Sequence, residues 1–146
     1  MLRLFAFLVL LTVASALNCT IHEYKFAYLY NDVNKTYDVH GLWPEVCCNY
    51  HGYPFFCHPV TFDINVLKPI LPSLLEVWFP TYNQSQQLEL MEHEYVKHGS
   101  CTDFSLLEYF ETALCLNAKT NTSSCQGENC YFPFIDDEVC GLIYQC

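Results

Sequence analysis

Positive charge is what this chain has least of: six lysines and arginines stand against sixteen aspartates and glutamates, a formal net charge of −10. A protein that holds a long polyanion by charge alone presents a basic face, so that mode of binding is excluded. Long apolar runs are scarce as well. The one near the start, Leu4 to Val13, follows a single basic residue, Arg3, and precedes Ala14-Ser15-Ala16. About ten apolar residues fall short of the roughly 20 that span a bilayer. Their order, basic then apolar then small, is that of a signal peptide cleaved after Ala16. Residues 1–16 are therefore expected to be a leader, and residues 17–146 a single exported, soluble domain. Linkers, internal repeats and low-complexity tracts are also missing.

Cys47-Cys48 and Cys125 with Cys130 lack the paired C-x-x-C spacing of structural zinc sites. The ten cysteines, none of them in the leader, read instead as the disulfide framework of an exported protein. Spacing alone does not assign their partners. Export gives meaning to four Asn-x-Ser/Thr sequons, at Asn18, Asn34, Asn83 and Asn121, as glycan sites.

Hydrophobic periodicity predicts an α+β domain. Glu23 to Tyr30 alternates, with Tyr24, Phe26, Tyr28 and Tyr30 on one face of a strand. After a turn at Asn31-Asp32, Thr36 to Leu42 reads as a second strand that carries His40 near its end and is stopped by Pro44. Cys47 to Pro72 reads as loop and Ser73 to Trp78 as a short helix. Leu88, Met91, Tyr95 and Val96 recur at helical spacing from Gln84 to His98, with Gly99 placed as a terminator. A second long helix is expected from Ser105 to about Ala118, opened by Asp103 or Thr102, with Leu106, Leu107, Phe110 and Leu114 turned inward. Cys130 to Ile135 and Val139 to Tyr144 read as short strands.

Two segments concentrate the reactive side chains. One is His40-Gly41-Leu42-Trp43-Pro44 and the other runs from His93-Glu94 through Lys97-His98 to Cys101. At about 100° per residue, Glu94 stacks with His98 and His93 with Lys97, and all four fall within an arc of roughly 140°. The H-E-x-x-H spacing of a zinc helix is absent, because His93 and His98 are five apart and point about 140° away from each other. Ser100 and Cys101 lie in no nucleophile elbow. What remains is proton transfer beside a phosphate. RNA supplies its own nucleophile in the 2′-OH; one histidine takes its proton, another protonates the departing 5′-oxygen, and a cation stabilises the phosphorane.

These two segments resemble, in order, the first and second active-site segments of the ribonuclease T2 family. Pro54 to Cys57 resembles the region whose cysteine often bonds the second segment. The resemblance implies a mainly antiparallel sheet packed with helices, in a chain short for the family. It also implies a secreted or endolysosomal endoribonuclease that cleaves single-stranded RNA to a 2′,3′-cyclic phosphate, as a monomer, with no metal, cofactor or membrane. In that scheme His98 is the general base and His40 the general acid. His93 holds the phosphate, Lys97 and Glu94 stabilise the transition state, and Trp43 and Glu45 bind a base. Because the helix C-terminus and Glu94 both favour an imidazolium at His98, a bell-shaped pH profile with an acidic optimum is expected. The acidity and the short length leave a second reading, a catalytically weak ribonuclease-like binding module.

Overall fold

The computed structural model describes residues 21–46 and 53–135. The expected leader, the Asn18 sequon and the strand expected at Val139 to Tyr144 lie outside the described residues. Strand β1 (Ile21–Asn31) pairs antiparallel with β2 (Thr36–Val46) on one side and β3 (Asn129–Ile135) on the other, giving the order β2-β1-β3. Tyr24, Phe26 and Tyr28 are buried, as the alternation predicts, while Tyr30 is half-buried and meets Tyr37 edge-on.

Against their face pack four helices: α1 (Ile64–Leu67), α2 (Leu71–Val77), α3 (Gln84–Lys97) and α4 (Leu106–Lys119). The core they share with the sheet includes Phe26, Leu42, Trp78, Met91, Tyr109 and Phe110. The molecule is thus an α+β fold with an antiparallel sheet, helices and disulfides.

Several elements differ from the sequence reading. β2 does not stop at Pro44; it continues to Val46, with Pro44 opposite Tyr24. Among the described residues β2 is an edge strand, and an edge strand tolerates a proline, which has no N–H to give to a ladder. Helix α1 lies within the stretch read as loop, and Asp63 opens it by accepting from the Asn65 N–H. Helix α4 is capped not by Asp103 or Thr102 but by Ser105, in a reciprocal capping box with Glu108. The same device, Asn83 with Gln86, opens α3. Gly99 follows the end of α3 as expected, but without a left-handed backbone: the chain continues into a 3-10 turn, Gly99–Cys101. There a side chain would collide with the Tyr95 ring, so close packing is what requires glycine.

Two disulfides close within the described residues, Cys57–Cys101 and Cys125–Cys130, and Cys115 is disulfide-bonded as well. The first is the pairing that the family resemblance implies, and it ties the segment after Tyr53 to the end of α3. Its partners are 44 residues apart, so replacing both by serine is expected to cost about 4 kcal/mol of stability through the freed unfolded chain. Urea unfolding measures that loss.

Candidate active site

The site begins with a fault in a strand. Ala27 pairs with Gly41 and Tyr28 with Val39, so His40 is the extra residue of a β-bulge. A bulge re-aims the side chain it carries and shifts the phase of the strand, which is why Val39 and Leu42 both reach the core. Just past it, the Tyr109 hydroxyl of α4 accepts from the Leu42 N–H (3.2 Å) and donates to the Leu42 carbonyl (2.9 Å). That bond pair pins β2 where the histidine leaves it.

The second half comes from the last turns of α3. The arc of four polar residues divides by burial: Glu94 and His98 face inward at 2% and 1% exposure, whereas His93 is exposed and Lys97 half-buried. Glu94 is the hub. Its Oε2 accepts from the Trp43 indole N–H at 2.7 Å, its Oε1 lies 3.5 Å from His40 Nε2, and its Oε2 lies 3.9 Å from His98 Nε2. Two imidazoles from different elements thus converge on one buried carboxylate.

Burial on its own pushes the Glu94 pKa up. The hydrogen bond and charge of His40, the Trp43 N–H and the charge of His98 more than offset this and hold the carboxyl below its usual range. His98 behaves differently from the sequence expectation. Burial pushes its pKa down to about 4, against the pull of Glu94, and the positive charges of Lys97, His40 and His93 act in the same direction as burial. Removal from water outweighs the carboxylate and the helix end, so above about pH 4 His98 is a neutral imidazole. Its Nδ1, like that of His40, has no hydrogen-bond partner among the described residues.

Aromatic rings wall the cluster. Trp43 stacks on His98 (centroids 5.0 Å, 26°) and meets His40 edge-on at 5.3 Å. Tyr53 stacks on Trp43, Phe79 touches His40 edge-on, and Lys97 Nζ lies 5.8 Å above the Tyr53 ring. Glu45, two residues past Trp43 on β2, is paired with Lys25 at 3.0 Å. Sequence reasoning brought His40, Glu94 and His98 to one place; Lys97 lies over the Tyr53 ring, itself 5.5 Å from His98, and His93 lies against Phe56. It missed Tyr53, Phe79 and the requirement at Gly41. A Cβ there would run into the Glu94 carboxylate and the Trp43 indole nitrogen, and a glycine inside a strand is the signal for such an approach. Gly41→Ala is expected to cost about 1–3 kcal/mol by overpacking, read from urea unfolding.

A bulged edge strand and a helix end that bring two imidazoles onto one buried carboxylate make an acid–base site on an α+β frame. Residues 6–134 match the Ribonuclease T2 family, and the chain belongs to that family. It is 34% identical over 107 residues to Ribonuclease Oy of Magallana gigas, covering 69% of this chain and 49% of that protein. To a ribonuclease-like storage protein of Panax ginseng it is 33% identical over 83 residues, covering 55% and 34%. Its fold is similar to that of ribonuclease MC1 from bitter gourd seeds, with a TM-score of 0.57 at 21% identity over 67% of this chain and 58% of that one. The chain spans about half the length of the first of these relatives and a third of the second.

Proposed function

We infer that the protein is an endoribonuclease that cleaves single-stranded RNA by transphosphorylation, with His98 as general base and His40 as general acid. The observation that carries this is the convergence of His40 and His98 on Glu94. In this reading neutral His98 removes the 2′-OH proton while Glu94 stabilises the imidazolium that forms. His40 protonates the departing 5′-oxygen, and its own interaction with Glu94 keeps it aimed at that atom. Lys97 and His93, on the outer side of the same helix turn, stabilise the negative charge on the phosphorane. Trp43 and Glu45 serve the base. No step calls for a metal or cofactor.

In this reading the protein works outside the cytosol or in an acidic vesicle, as a monomer. Residues 1–16 would be removed as a leader and residues 17–146 retained as one domain, with glycans at the sequons. Asn34, Asn83 and Asn121 are half-buried or exposed, and no helix among the described residues is long and apolar enough to cross a membrane.

The pH dependence follows from the state of His98. A general base must be unprotonated, and its pKa is lowered to about 4, so kcat/KM is expected to rise as pH increases through about 4 and to level above it. An acid limb near the ordinary histidine value of about 6.5 would show that burial does not lower the His98 pKa in the working enzyme. Initial rates between pH 3 and 8 measure this.

A direct test uses a DNA strand carrying a single ribonucleotide, incubated in chelator. Cleavage confined to the 3′ side of the ribonucleotide is expected; cleavage elsewhere, or none, overturns the assignment. One observation favours the second reading, a weakly catalytic binding module: His98 is 1% exposed, with the Trp43 and Tyr53 rings against it, which leaves a substrate little access. Among the relatives, the ginseng protein is named a storage protein. Absence of cleavage with retained RNA binding would select that reading.

A further inference from the structure

Beyond the histidines, the chain from Phe55 to Cys57 is held more firmly than a surface segment requires. Phe56 adopts φ 49°, a left-handed conformation unusual for a bulky side chain. Three ties to the end of α3 maintain it. The Phe56 N–H donates to the Lys97 carbonyl (2.8 Å), the Cys57 N–H donates to Ser100 Oγ (3.1 Å), and Cys57 is disulfide-bonded to Cys101.

What this backbone displays is two phenyl rings, each 55% exposed. They meet edge-on at 6.0 Å; Phe56 also meets the His93 ring edge-on at 6.5 Å, and Phe55 lies 6.0 Å from Tyr53. Exposed phenyl rings forgo hydrophobic burial and offer neither donor nor acceptor, so any ligand they recognise is met through a flat face. Next to them stand His93 and Lys97, two side chains that can face a phosphate. A ligand that alternates flat faces with phosphates is a single nucleic-acid strand. With a net charge of −10, the chain has little electrostatic attraction for the parts of that strand away from the scissile bond. Stacking is the term left to hold them.

We propose that Phe55 and Phe56 form a stacking subsite for a base of single-stranded RNA, on the outer side of His93 and beyond the base next to the scissile phosphate. The subsite rests on the nuclease reading for its orientation. It tolerates any base, because every base has a π face.

The test compares the parent protein with the double variant Phe55→Ser/Phe56→Asn, asparagine being chosen because it accepts the left-handed backbone. Binding is read by fluorescence anisotropy of a labelled RNA of about ten nucleotides, with His40→Ala in both proteins to prevent cleavage. Binding about tenfold weaker in the variant is expected, the order of one lost stacked base. In the cleavage-competent proteins, the advantage in kcat/KM of the long RNA over a dinucleotide is expected to shrink by a similar factor, through KM. Phe55→Trp, which keeps a flat ring, is expected to retain both. Unchanged RNA affinity in the double variant, equal losses on long and short substrates, or no RNA binding by the parent overturns the subsite. If the parent binds RNA but cleaves neither substrate, the nuclease reading fails while the anisotropy comparison still decides this one.

Discussion

Replacing His98 by alanine is expected to lower kcat on RNA by about 10²–10⁴, and replacing His40 to do the same, since each removes one partner of a concerted proton transfer. The double variant should be little worse than either single one, because residues acting as a unit do not contribute additively. The two losses differ in their pH signatures. Without His98 the rise in rate through about pH 4 disappears, whereas without His40 it remains. Steady-state kinetics across pH on the two variants check both statements. Rates within a fewfold of the parent in either variant would remove that residue from the reaction.

The second large effect is expected at Glu94. Glu94→Gln keeps the shape but loses the charge that Trp43 Nε1 contacts at 2.7 Å and His40 Nε2 approaches at 3.5 Å. An amide has one accepting oxygen and one donating nitrogen, so either the indole N–H or the imidazole would face a donor. Loss of a buried, pre-aimed charge of this kind costs about 10²–10³ in kcat. Glu94→Asp, which keeps the charge on a shorter arm, is expected to fall between the parent and the glutamine variant. If Glu94→Gln turned over RNA at the parental rate, the carboxylate would be a packing element only, and the cluster would need another explanation for its burial.

Much of this site was legible from side-chain spacing. The four-residue intervals of His93, Glu94, Lys97 and His98 placed them in one arc of a helix that does run from Gln84 to Lys97. Angular position could not say which of the four turn inward, because burial is decided by what packs against the helix. Here Trp43 and Tyr53 close over Glu94 and His98. The same ignorance reversed the expectation for His98: from sequence, only its attractive neighbours are visible, whereas loss of water is a property of the assembled site.

Strand β2 shows a different limit. Alternation locates it, but the bulge at His40 depends on pairing with β1, and Pro44 reads as a stop in a sequence that does not show which strand lies at an edge. Tyr53 and Phe79 carried no periodic signal at all. The cap of α4 was missed by two or three residues, since Thr102, Asp103 and Ser105 are all competent caps and the reciprocal bond to Glu108 selects Ser105.

The measurement that bears most directly on the paired-imidazole account is analysis of the RNA ends left by the purified protein at mildly acidic pH in excess chelator. The account predicts 2′,3′-cyclic phosphates facing 5′-hydroxyls, made at the same rate with and without chelator. Ends bearing 5′-phosphates and 3′-hydroxyls, or cleavage that the chelator abolishes, would contradict it.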